Sequence, residues 1–125
     1  MAAERLNGIT HAIIGAAQKV SSVLGSGFLE KVYENALCWE LRKLGLAVDQ
    51  QCGVDVLYDG RVVGQYVPDL LVASNVVVEI KASESVDRSH RAQSINCLRA
   101  TDHRICLLLN FGRPRLQIAR IVRGL

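Results

Sequence analysis

Near Ala47 the hydrophobic period of this chain changes from that of a helix to that of a strand, and the change fixes which layers it can form. Upstream, residues 5–23 place Ile9, Ala12, Ile13, Ala16, Val20 and Val23 at helical spacing. Gly25-Ser26-Gly27 breaks that pattern. A second helix is expected from Phe28 to Leu44, with Leu29, Val32, Tyr33, Ala36, Leu37 and Leu41 as its apolar stripe and Gly45 as its stop. Downstream, Val54, Val56 and Tyr58 alternate with Asp55 and Leu57, and Asp59-Gly60 signals a hairpin. Strands over 61–72 and 76–81 follow, joined by a turn near Ser74-Asn75. Residues 86–101 read as a helix with Ala92, Ile95 and Leu98 inward and Cys97 beside them; strands over 105–110 and 116–122 close the chain. The expected order is α-α-β-β-β-α-β-β, an α/β protein with one mixed β-sheet of about five strands flanked by helices. The helix between the third and fourth strands allows those two to run parallel. No repeat, low-complexity tract or linker interrupts the 125 residues, so residues 1–125 are expected to form a single domain with a real core.

Two of these strands carry charge where Val and Ile belong. Pro68-Asp69 lies in the run Val62 to Val72, and Glu79-Ile80-Lys81 ends the run that starts at Val76. Charge next to a core is costly unless something pairs it. A divalent metal is one such partner, because hard oxygen ligands suit Mg²⁺. Lys81, two residues from Glu79 on one strand, points to the same face and sets a cation beside a metal-ligating acid.

Composition bounds the partners. Half of the residues are apolar, which excludes a disordered chain. No apolar stretch is long enough to span a bilayer, and Met1-Ala2-Ala3-Glu4-Arg5 has no signal-peptide pattern, so a soluble cytoplasmic protein that makes no use of a membrane is expected. Cys38, Cys52, Cys97 and Cys106 lie far apart without a C-x-x-C pair, which favours four buried reduced thiols over a zinc, iron–sulfur or disulfide framework. The net charge of +3 hides an asymmetry: residues 86–125 hold eight Arg and two acids, or +6, and residues 1–85 hold seven Lys/Arg and ten acids, or −3. A basic C-terminal third could track a phosphate backbone, or could be a solvated surface paired in part with the acidic half.

These residues resemble a known family. Pro68-Asp69 followed by Glu79-x-Lys81 on the next strand, within an α-βββ-α-β core, resembles the PD-(D/E)XK nuclease superfamily. Within it, Gly27-Phe28-Leu29-Glu30-Lys31-Val32-Tyr33 matches the G-x-x-E-x-x-Y signature of the GxxExxY proteins. Similar stretches extend through Glu34-Asn35-Ala36-Leu37, Tyr58-Asp59-Gly60, Val63-Gly64-Gln65-Tyr66, Asp69 to Val72 and Leu109-Asn110-Phe111-Gly112. The resemblance implies a restriction-endonuclease-like core. It also implies Asp69 and Glu79 as ligands of Mg²⁺ or Mn²⁺, Lys81 as the group that assists the nucleophilic water, Glu30 as an addition to the metal shell, and Gln93 as the residue that completes the site. One position departs: the related exonucleases have an aromatic four residues after that Gln, and Cys97 stands there in this chain, so their DNA-end specificity does not carry over.

The chemistry then expected is phosphodiester hydrolysis, which needs an activated water and a means of absorbing charge at phosphorus; a metal supplies both. The Ile80 carbonyl is a further candidate ligand, and Lys81 could orient the water or stabilise developing charge. Glu30 and Glu34, one turn apart, share a helix face with Tyr33 and Leu37, and only one of the two acids need reach the site. Structural readings stand beside these. Glu30 could cap its helix through the Gly27 N–H, Asp69 and Lys81 could form a cross-strand ion pair, and Tyr33 suits core packing with its hydroxyl bonded. Arg88, His90 and Arg91 are candidate phosphate contacts; no second His is spaced to make His90 a metal ligand. The leading expectation is a metal-dependent nuclease acting on DNA. The alternative is a catalytically inactive nuclease-fold module that binds nucleic acid or a protein partner. So small a nuclease could gain binding surface as a homodimer.

Overall fold

The computed structural model describes residues 2–84 and 88–123. Two helices come first, α1 (Ala2–Leu24) and α2 (Glu30–Lys43). Helix α2 ends at Gly45, whose φ of 82° lets Gly45 N–H donate to the Arg42 carbonyl and Leu46 N–H to the Leu41 carbonyl, the two bonds of a Schellman motif. Five strands follow: β1 (Val48–Gln50), β2 (Val54–Tyr58), β3 (Arg61–Tyr66), β4 (Leu70–Val72) and β5 (Val76–Lys81). Helix α3 (Arg88–Thr101) crosses over to β6 (Ile105–Asn110), which turns back into β7 (Gln117–Val122). The predicted start of α3 at residue 86 lies outside the described residues.

The main sheet has the order β1-β4-β5-β6-β7, with β5 and β6 parallel and every other pair antiparallel. This is the mixed five-stranded sheet flanked by helices that the periodicity predicts. Its membership differs. The run 61–72 is not one strand: it breaks at Val67-Pro68-Asp69, because proline brings no N–H to a ladder. Upstream of the break, β3 pairs only with β2 in a separate two-stranded ribbon; downstream, β4 enters the main sheet, where the short β1 takes the edge.

Alternation gives the sheet two dry faces. Val76, Val78, Ile80, Ile105, Leu107 and Leu109 pack beneath α1 and α2, against Ile13, Ala17, Tyr33, Leu37 and Leu41. Val77, Cys106, Leu108, Ala119 and Ile121 face α3 through Cys97 and Leu98, with Tyr66 and Leu71 at the margin. Burial on both sides explains why β5 and β6 read as continuous apolar runs. The buried face of α3 departs from expectation. Ser94, Cys97 and Leu98 are buried, whereas Ala92 and Ile95 are exposed. Of the cysteines, all reduced, Cys52 is exposed and the other three are buried.

Candidate active site

A three-residue loop sets the register on which the site depends. Leu70 faces Val78, Leu71 faces Val77 and Val72 faces Val76, leaving Ala73-Ser74-Asn75 as the connection. Ala73 and Ser74 both have positive φ, and the Asn75 amide donates to the Ala73 carbonyl at 2.7 Å. Directly opposed residues of an antiparallel pair share a face, so the next pair outward, Asp69 with Glu79, points to one side. A two-residue turn would have set Asp69 against Ile80 and parted the two carboxylates. For a shared site the sequence requires either an odd-length loop or a bulge near Pro68, and the chain adopts the odd-length loop.

Asp69 lies just before β4, where the ladder has stopped, and its side chain replaces the missing strand: Oδ2 accepts from the Ile80 backbone N–H at 2.7 Å. Its other oxygen, Oδ1, accepts from Gln51 Nε2 at 3.2 Å, and its carbonyl accepts from the Gln51 backbone N–H at 3.0 Å. Gln51 holds a left-handed conformation with φ of 55°. Its side-chain amide also donates to Glu34 Oε1 at 2.9 Å. Glu34 in turn accepts from Gln50 Nε2 at 2.6 Å and pairs with Lys31 at 3.0 Å. A continuous polar chain therefore runs from α2 around the end of β4 to the tip of β5.

Glu79 is only 8% exposed, and the Tyr66 hydroxyl donates to its Oε1. Burial, with the Asp69 charge adding to it, pushes the Glu79 carboxyl up to about 7 against the Tyr66 hydrogen bond and the Lys81 charge, which hold it down. Burial and the adjacent Glu79 push the Tyr66 hydroxyl well above its usual range, so it remains a neutral donor. Lys81 is half-buried on the same face of β5, and its carbonyl accepts from the Phe111 N–H at 2.8 Å. It makes no ion pair with Asp69, so that structural reading is not what the molecule adopts.

The other expected residues fall elsewhere. Glu30, in the first turn of α2, is exposed and makes no bond to Asp69, Glu79 or Lys81; its neighbour one turn on, the buried Glu34, is the acid linked to the pair. The helix is entered through Leu29 with no side-chain cap, so Glu30 does not serve the predicted capping role either. Gln93 is exposed on α3, without a bond to the acid pair. Arg88 and Arg91 are exposed and His90 is half-buried at the start of α3. Tyr33 packs as expected: it is fully buried, stacks on Phe111, and its hydroxyl donates to the Gly25 carbonyl at 2.6 Å. Sequence reasoning passed over Tyr66 and Gln51. Tyr66 carried a signal, a phenol three residues before Asp69 on a strand; Gln51 carried none, since its role comes from a left-handed turn that glutamine does not advertise.

Among the described residues no group of three or more His, Cys, Asp and Glu side chains is placed to hold a metal ion. The donor set is the two-carboxylate pair. That suits a small hard cation, since Mg²⁺ keeps several waters and is held by one or two carboxylates together with substrate phosphates. A buried acid and a half-exposed one set side by side, the buried one raised toward neutral pH, form an arrangement that a divalent cation would relieve.

Among the described residues no helix is long and apolar enough to cross a membrane. No curated protein matches the sequence. Two solved structures of an alkaline exonuclease from Laribacter hongkongensis, one of them in complex with dAMP, are similar to this chain at 14% identity and a TM-score of 0.43, with 86% of this chain and 76% of that one covered. The sequence profile of the PD-(D/E)XK nuclease superfamily matches residues 7–121, from the first helix into the last strand and across Asp69, Glu79 and Lys81. On that match the chain belongs to the PD-(D/E)XK nuclease superfamily.

Proposed function

We propose that this protein is a metal-dependent nuclease that hydrolyses phosphodiester bonds of DNA, acting as one domain in the cytoplasm and belonging to the GxxExxY group through Gly27, Glu30 and Tyr33. Nucleases of the superfamily generally use divalent metals. The observation that carries the reading is the shared face of Asp69 and Glu79, set by an odd-length loop in which Ala73 and Ser74 both sit at positive φ. Asp69, fixed at both oxygens by Ile80 N–H and Gln51, and Glu79, fixed at Oε1 by Tyr66, would hold Mg²⁺ or Mn²⁺. The bound cation supplies positive charge for the phosphoryl oxygens and a more acidic water. Lys81 orients the attacking water and stabilises the negative charge that builds on the phosphoryl oxygens as the water oxygen bonds to phosphorus; the P–O bond to the leaving oxygen then breaks, the attacking water gives up its proton to solvent and the leaving oxygen takes one from solvent. Gln51 and Glu34 act behind Asp69, holding its carboxylate in place. Arg88, His90 and Arg91 contact the strand's phosphates beyond the reacting centre.

The test is incubation with single-stranded, duplex and branched DNA plus Mn²⁺, beside E79A. Cleavage by the parent that E79A lacks supports the enzyme. Binding that survives in E79A with no cleavage by either protein would make the chain a non-catalytic nucleic-acid module.

A further inference from the structure

We infer that the β6–β7 loop carrying Arg113 and Arg115 is a phosphate clamp that seats a nucleic-acid strand beside the acid pair, an inference that rests on the nuclease reading of that site. The loop starts at the site itself. Asn110 faces Lys81 across the parallel ladder, and the next residue, Phe111, donates its N–H to the Lys81 carbonyl at 2.8 Å. Arg113 is two residues further on. Adjacent strands lie about 4.8 Å apart, so the loop begins roughly one strand away from the strand that carries Glu79 and Lys81.

The loop is held, not loose. The fully buried Asn110 side chain accepts from the N–H groups of Ser83 and Gly112, each at 3.0 Å, and donates to the Ser83 carbonyl at 2.9 Å and to Gln117 at 3.1 Å. Gly112 is pressed so close to the segment after β5 that a Cβ there would lie 2.2 Å from the Ser83 oxygen. Two guanidinium groups are thereby carried on a loop tied to the residue two beyond Lys81.

The surroundings of these arginines select a polyanion. Two recesses flank the loop. One, of about 270 Å³, is lined by Arg115, Pro114 and Leu116 together with Gln18, Ser21 and Ser22 of α1. The other, of about 220 Å³, is lined by Arg113, Arg115, Leu116 and Gln117. Neither contains an acid. Guanidinium and amide groups line both, and the serine hydroxyls of α1 join them in the first, the chemistry that binds phosphate oxygens. Arg113 and Arg115 have no acidic partner among the described residues, whereas Arg123 pairs with Asp102 and Arg120 bonds Asn7. Cations without internal partners among the described residues, beside acid-free recesses at the end of the sheet where Lys81 stands, fit successive phosphates of one strand that crosses this end from the α1 side, where the Arg115 recess lies, to the α3 side, which Glu79 faces. Arg104 provides the contrast: it lies at the opposite end of β6, in a recess shared with Asp102.

The experiment measures binding without cleavage. The full chain carrying E79Q, in EDTA, is titrated into a fluorescein-labelled single-stranded oligonucleotide and followed by anisotropy across salt concentrations. Adding R113A/R115A is expected to weaken binding on the order of tenfold at low salt and to flatten the slope of log affinity against log salt by about 0.7 for each phosphate that is no longer neutralised. R113K/R115K should keep the slope, and R104A should change neither quantity. Should the alanine pair fail to fold, R113Q/R115Q carries the same expectation. An unchanged slope in R113A/R115A, or an equal loss in R104A, overturns the clamp. The nuclease reading is judged separately, on Mn²⁺-dependent cleavage by the parent. Cleavage with an unchanged slope in R113A/R115A sinks the clamp alone, and a flattened slope without any cleavage upholds the clamp as a binding surface while the nuclease reading fails.

Discussion

Glu79 is a carboxyl that burial makes reluctant to ionise, and this gives the metal-free protein an unusual pH dependence. Its folded-state pKa of about 7 lies above the ordinary value of 4.5, so the folded state binds the proton more tightly than the unfolded state does. Its contribution to stability is therefore fully present below pH 4.5 and is lost as pH rises through 7, the reverse of a salt-bridged acid. Urea unfolding in EDTA should show the parent losing on the order of 3 kcal/mol between pH 4.5 and pH 8 from this group, and E79Q should lack that loss. Equal slopes in parent and E79Q would show that Glu79 titrates normally. Tyr66 works against the shift, because its hydroxyl donates to the charged carboxylate. Y66F should therefore move the midpoint of the pH transition upward and destabilise the protein by about 1–3 kcal/mol at pH 8, where the ionised acid is left without its donor. An unshifted midpoint in Y66F would mean that the hydroxyl does not set the carboxyl's state.

At the scale of elements, one loop decides whether the two acids meet. Replacing Ser74 by Gly relieves its positive φ and keeps Val72 opposite Val76, whereas a residue inserted between Asp69 and Leu70 moves Asp69 one place outward and turns its side chain to the other face. The insertion should abolish any rise in melting temperature caused by Mn²⁺, and the Ser74→Gly protein should keep it. An insertion variant that still responds to Mn²⁺ as the parent does would remove the register argument. The sequence showed only a condition on this register: face-sharing by Asp69 and Glu79 needs either an odd-length loop or a bulge near Pro68, and the choice between them was made by the fold. The parallel β5–β6 pair was legible, since only a crossover helix separates two buried apolar runs. The break at Pro68 was visible as a residue but not as a boundary. The apolar alternation runs unbroken from Val62 to Val72, and nothing local says that β3 leaves the sheet while β4 enters it. The buried side of α3 was misread because Ala92 and Ile95 look inward by apolarity, yet packing chose Ser94, Cys97 and Leu98. Likewise the choice of Glu34 over Glu30 depends on Gln51 turning back toward α2, a long-range event that spacing on one helix cannot record.

For the whole molecule, the acid pair is a junction between elements. Asp69 comes from the entry to β4 and Glu79 from β5, Tyr66 reaches in from the two-stranded ribbon, and Gln51 ties Asp69 to α2. A cation held there would join the strands that the ladder alone leaves open beyond Leu70, and only the folded chain assembles its ligands. Mn²⁺ should therefore stabilise the whole fold by mass action, by about 2.7 kcal/mol when its concentration is one hundred times Kd, read as a rise in melting temperature. D69N keeps the size of the side chain but removes the charge, so most of that rise should vanish. E30Q, at an exposed position without a bond to the pair, should respond as the parent does. E30Q tests whether the exposed acid of α2 reaches the cation at all. A D69N protein with an undiminished response would exclude Asp69 as a ligand, and an E30Q protein that loses the response would return Glu30 to the metal shell in place of the Glu34 chain.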